Sequence, residues 1–82
     1  MSNSHSIEFP QYRKITNGKS FYKINDSKLF EEIQLIGNLK RHYIIEAKQY
    51  PEMLRIQDML NLEPPFLNMN ESEWIELSSF LK

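Results

Sequence analysis

Aromatic and basic residues alternate through the stretch QYRKITNGKSFYK, Gln11–Lys23. Tyr12, Lys14, Lys19, Phe21 and Lys23 are its chemistry-bearing members. Exposed rings stack nucleobases, and ammonium groups beside them track phosphates. The chemistry these five residues offer is therefore non-covalent binding, with single-stranded nucleic acid as one candidate partner. Arg13, Lys40 and Arg41 would extend the positive field. Two plainer readings compete. Lysines on a hairpin guard sheet edges against aggregation, and a helix could cover the face.

Bond-making chemistry finds less support. There is no cysteine, so serines and threonines are the available nucleophiles. Ser27 and Ser72 sit where helices are expected to start, and hydroxyls there satisfy backbone groups. A catalytic serine needs an oriented base. The two histidines are His5, near the start of the chain, and His42. His42 and Glu46 share a strand face, but at ~3.3 Å per residue they stand about 13 Å apart. A zinc site needs three or four converging ligands, so no metal or catalytic residue is assigned. The two glycines, Gly18 and Gly37, precede no helix as a phosphate-cradling loop would. Glu31, Glu32, Glu46, Glu52, Asp58 and Glu63 carry no context that separates them from solvated surface. No cofactor is implied.

A second group of residues suits contact with another protein. Met53, Met59, Phe66 and Trp74, with Met69, are adaptable or aromatic, and such side chains are enriched at binding surfaces. They equally suit the core of a small domain. If they are a surface, the partner is an unknown protein or a second copy of this chain, in a homodimer.

Positioning these groups falls to a small set of elements. Asn17-Gly18 suits a type I′ turn, in which both central residues take positive φ. Tyr12–Thr16 and Lys19–Ile24 become its strands. That turn places Tyr12 opposite Lys23, Arg13 opposite Tyr22 and Lys14 opposite Phe21. Side chains alternate across a sheet. One face then carries Phe9, Ile15, Tyr22 and Ile24, with Arg13 and Ser20 among them. The other carries the five aromatic and basic residues. The first is the expected core face.

Leu29, Ile33 and Ile36 recur at helical spacing, after Asp26 or Ser27 as a cap and before Gly37 as a closing residue. The spacing predicts a helix there. Tyr43, Ile45 and Ala47 alternate, which predicts a strand at about Arg41–Lys48. Pro51 fits a first helical position, and Met53, Ile56 and Leu60 predict a helix over Pro51–Asn61. Pro64-Pro65 ends it. A short extended stretch, Phe66–Met69, precedes Asn70 and Glu73 at capping-box spacing, and Trp74, Leu77 and Leu81 share a helix face. Phe21–Ile33 and Phe66–Leu77 echo each other in order of features, each read as a strand feeding a helix.

The expected fold is α+β, a small mostly antiparallel sheet with about three helices in the order β-β-α-β-α-(β)-α. Residues 1–8 are expected to be a flexible N-terminus and 9–82 a single domain. Eighty-two residues leave no room for a second one. No apolar run reaches the roughly 20 residues that span a bilayer, and the start lacks the features of a secretory signal. The expected setting is the cytoplasm, with no membrane partner. Net charge is −1. It is unevenly spread: eight Lys/Arg against five Asp/Glu in residues 1–48, then two against six. Acidic residues in first helical turns account for much of the second excess. The expected function is a non-enzymatic binding module engaged in protein interaction or self-association. The alternative is a nucleic-acid-binding accessory protein using the aromatic and basic hairpin face.

Overall fold

The computed structural model describes residues 8–81. The flexible start expected for residues 1–8 falls, apart from Glu8, outside the described residues. The chain forms an α+β fold with a five-stranded antiparallel sheet and two α-helices. In chain order these are β1 (Gln11–Ile15), β2 (Ser20–Asp26), β3 (Leu29–Ile36), β4 (Leu39–Glu46), α1 (Tyr50–Leu60), β5 (Phe66–Asn68) and α2 (Glu71–Leu77). A 3₁₀ turn, Ser78–Leu81, follows. The sheet order is β4-β3-β2-β1-β5.

The first hairpin has the register its sequence dictates. Tyr12 pairs with Lys23, Arg13 with Tyr22 and Lys14 with Phe21. Its turn is built differently from the type I′ expectation. Gly18 alone takes positive φ, at 72°. Its N–H donates to the Ile15 carbonyl at 2.8 Å, and the Asn17 side chain accepts from the Lys19 N–H. Asn17 thus stabilises the bend through its side chain, as Asx turns do, and stays out of the left-handed region.

The helix expected across Leu29–Ile36 is a strand, which changes the order to β-β-β-β-α-β-α. Asp26 caps no helix; its carboxylate accepts from the Lys28 N–H at 2.7 Å within the β2–β3 turn. A bulge between Ile24 and Asp26 adjusts the register there. Gly37 has positive φ, but in the two-residue Gly37-Asn38 loop joining β3 to β4. Glycine at the first loop position is the type II′ pattern. The physical reason for the change is burial on both faces. Phe30 lies opposite Ile24 and Ile33 opposite Phe21, so the two point to opposite sides of the sheet, and both are fully buried. A strand packed on both sides loses its polar alternation.

Each face has its own helix. On one, Ile56 and Met59 of α1 pack on Tyr22, Ile24, Phe30 and Ala47, with Ile15, Ile45 and Phe66 at the margin. On the other, Trp74 of α2 packs on Tyr12, Phe21, Ile33 and Met69. The result is three layers, helix–sheet–helix, with two separate cores sharing one sheet. Pro51 opens α1, and Glu52 accepts from the Gln49 N–H. Asn70 caps α2 by accepting from the Glu73 N–H at 2.9 Å. The echo between Phe21–Ile33 and Phe66–Leu77 stops at the first strand: one continues into a hairpin, the other into α2. No described helix is long and apolar enough to cross a membrane.

Candidate interaction site

Between the two cores, α2 decides the fate of the aromatic and basic hairpin face. Tyr12 and Phe21 are only 9% and 6% exposed. Tyr12 meets Trp74 with ring centroids 6.3 Å apart. Its phenol pKa is raised, first by burial and then by Glu71. The lysines around them are drawn toward acids. Lys14 Nζ lies 3.4 Å from Glu73 of α2, and Lys23 lies opposite Glu31 of β3. Lys19 stands exposed at the turn. The rings therefore offer no open stacking platform, and two of the three lysines sit beside carboxylates.

Arg13 belongs to the other face and does not extend that field. It is 4% exposed. Its Nε donates to the Met59 carbonyl at 2.7 Å, in the last turn of α1, and Nη1 donates to Asn68 Oδ1 at 2.9 Å. Nη1 and Nη2 also donate to the Tyr12 carbonyl and Gln11 Oε1. Burial pulls the guanidinium pKa below its ordinary value. α1 has no basic residue in its last turn, and Arg13 supplies the missing cation from the sheet.

Of the methionine and aromatic group, Met59 and Trp74 are core residues, as is Met69. Phe66 is half-buried and edge-on to Tyr22, with centroids 5.6 Å apart. Met53 alone of the group projects from α1 into solvent. The others are drawn into two cores on opposite faces, so the group forms no common surface.

The surface that stands open lies elsewhere. β5 covers the outer edge of β1 through Ile15, Lys14 and Arg13. Among the described residues, nothing pairs with the outer edge of β4 over its eight residues. The hairpin geometry says which groups that edge presents. In a two-residue hairpin the flanking pair, Ile36 and Leu39, exchanges both hydrogen bonds, and bonded pairs then alternate. The Ala47 N–H donating to the Lys28 carbonyl keeps that alternation at the far end. Leu39, Arg41, Tyr43 and Ile45 thus bond inward to β3. The N–H and C=O groups of Lys40, His42, Ile44 and Glu46 point outward. Apolar side chains accompany them: Leu39 is 58% and Ile44 67% exposed, with Ile36 and Tyr43 also exposed.

Charge decorates this edge unevenly. Lys40 Nζ lies 5.4 Å above the Phe80 ring centre. His42 Nε2 is 2.8 Å from Glu31 Oε1, and Asn25 donates to the other oxygen. Burial would raise the Glu31 pKa, but the Asn25 and His42 hydrogen bonds and the nearby Lys23 outweigh it, leaving the pKa below its usual value. Glu46 at the other end lies 3.5 Å from the equally exposed Lys48. The edge residues Ile36, Leu39, Tyr43 and Ile44 escape a reading that looks for motifs. Their signal is Gly37-Asn38, a two-residue hairpin dipeptide flanked by Ile36 and Leu39, with Tyr43 and Ile44 further along the second strand. Comparisons of the chain with known protein families, curated proteins and solved structures found no match.

Proposed function

We propose that this chain is a non-enzymatic, cytoplasmic self-association module that pairs with a second copy of itself along β4. The observation that supports the reading is the eight-residue open edge with Leu39 and Ile44 largely in water. A long apolar edge strand is a template for strand addition.

The edge also favours a particular register. The outward groups belong to even-numbered residues, so in a twofold antiparallel pair these must meet one another. Two registers give the greatest overlap. One centres on His42, placing His42 opposite its copy and Lys40 opposite Ile44. The other centres on Tyr43, placing Lys40 opposite Glu46 at both ends and His42 opposite Ile44. Directly opposed unlike charges add roughly 0.2–1 kcal/mol each, and like charges subtract. Charge complementarity selects the Tyr43-centred pair, which joins two five-stranded sheets into one.

The nucleic-acid alternative draws less support, because Tyr12 and Phe21 lie under α2. Sedimentation equilibrium tests the proposal. The parent chain sediments with twice its monomer mass and dissociates on dilution. Ile44→Lys abolishes the dimer without unfolding the chain, since Ile44 contributes little to either core. Lys40→Glu weakens the dimer, and Lys40→Glu combined with Glu46→Lys restores it. A parent chain that stays monomeric at high micromolar concentration overturns the proposal.

A further inference from the structure

A groove of about 350 Å³ opens on the α1 face of the sheet, lined by Glu32, Gln34, Tyr43, Pro51, Glu52 and Arg55 among others. Its volume is within the range of small-ligand sites. Glu32 is the unusual member. It is only 6% exposed. Tyr22 Oη donates to Glu32 Oε2 at 3.1 Å and Gln34 Nε2 donates to the same oxygen at 2.9 Å. Among the described residues, Glu32 Oε1 accepts no hydrogen bond and no ion pair reaches the carboxylate.

A buried carboxylate is costly unless a cation and further donors complete it. The neighbouring groups leave this one incomplete. Glu52 is occupied, accepting from the Lys48 and Gln49 N–H groups. Arg55 stands at the rim, exposed, without forming an ion pair with Glu32. Glu32 Oε1 calls for a donor that carries positive charge. The Tyr43 ring beside it offers an aromatic wall. The Gln34 amide, with its nitrogen committed to Glu32, keeps its own oxygen as an acceptor. A flat cation with several N–H donors uses all three features at once: carboxylate, amide oxygen and ring.

We propose that this groove binds a guanidinium group, with Glu32 as its anionic anchor and Tyr43 as its stacking surface. The ligand is a free guanidino compound or an arginine side chain of another protein; the recognition chemistry is the same. The groove lies on the face of the sheet and the β4 edge in its plane, so guanidinium binding persists in the monomeric Ile44→Lys variant.

The test is titration of the isotopically labelled full chain with L-arginine, and separately with an alanine-rich peptide bearing one arginine, followed by NMR. Both probes shift the Gln34 side-chain amide and the Tyr43 signals in a saturable manner. L-Citrulline, neutral and nearly isosteric, does not. Glu32→Gln keeps the shape and weakens binding at least tenfold, while Arg55→Gln tightens it by removing a like charge. Equal affinity for the two probes identifies a site for the free compound, and a tighter peptide identifies a protein arginine; either supports the proposal. Unmoved Gln34 and Tyr43 signals at millimolar probe, equal binding of citrulline, or undiminished binding by a folded Glu32→Gln chain overturns it. Preserved dispersion of the NMR spectrum certifies the fold of each variant.

Discussion

Replacing Arg13 by methionine tests how this sheet and its first helix are joined. The substitution keeps most of the apolar stem and removes the guanidinium. Two of its hydrogen bonds span the tertiary structure: Nε to the Met59 carbonyl at 2.7 Å and Nη1 to Asn68 Oδ1 at 2.9 Å. Bonds to a charged donor contribute about 1.5–3 kcal/mol each. The loss is of the bonds alone, because exposed Asn68 is open to water and the Met59 carbonyl keeps the Leu62 N–H at 3.2 Å. Against this, the folded state no longer desolvates a cation that is 4% exposed, a relief of several kcal/mol before relaxation. The balance is a net loss of about 3 kcal/mol, because two charge-assisted bonds across the tertiary structure are given up. A domain of this size has a total stability of roughly 4–12 kcal/mol at ~0.05–0.15 kcal/mol per residue, so the loss is large. Urea unfolding followed by circular dichroism reads it as a midpoint lowered by about 2–3 M, at a slope of ~1–1.5 kcal/mol per molar. Arg13→Lys retains one charged donor and loses about half as much. An Arg13→Met chain as stable as the parent, or more so, refutes the reasoning: desolvation would then outweigh the bridge to α1.

Two further outcomes follow from single contacts. The Tyr22 phenol is pushed up to about 12 from its ordinary 10, first by burial and then by the Glu32 charge and hydrogen bond. Above pH 10 the unfolded chain gives up this proton while the folded chain holds it, so stability is intact below pH 10 and falls between 10 and 12. The fall reaches roughly 3 kcal/mol at ~1.4 kcal/mol per pH unit. Phenolate absorbance and alkaline urea titrations check it: Tyr22→Phe removes that part of the fall, and Glu32→Gln moves the phenol back toward 10. Asn70→Ala deletes the α2 cap at the Glu73 N–H and costs about 1 kcal/mol. A seven-residue helix has little intrinsic stability to spare. The single tryptophan, Trp74, reports the change by fluorescence during urea unfolding, and an unchanged midpoint counts against the cap.

Much of the fold is legible where one local rule acts alone. Asn17-Gly18 sets the β1–β2 register, although the bend uses one left-handed residue and an Asn side chain in place of two left-handed residues. Pro51 and Glu52 place α1 as Tyr50–Leu60 against an expected Pro51–Asn61. Asn70 and Glu73 place the cap of α2. Legibility fails at β3, where two cores meet. Leu29, Ile33 and Ile36 share a helical spacing, but Phe30 and Ile33 are needed on opposite faces. The dipeptide Gly37-Asn38 carries the contrary signal, a hairpin, and it is short enough to be read as a helix stop. The same two-sided packing explains the candidate site. Tyr12 and Phe21 look available only while α2 is left out, and Trp74 covers them. The β4 edge is invisible to periodicity because its openness depends on sheet order, a property that follows from where β5 returns.

That return has a temporal side. β1, β2, β3 and β4 follow one another through short turns, so each can zip onto its predecessor as the chain leaves the ribosome. The other flank of β1 waits for Phe66–Asn68, some fifty residues downstream. During that interval the nascent meander is sticky on both flanks. Three residues late in the chain act as a selvedge, finishing one border of the weave and leaving β4 as the unfinished one.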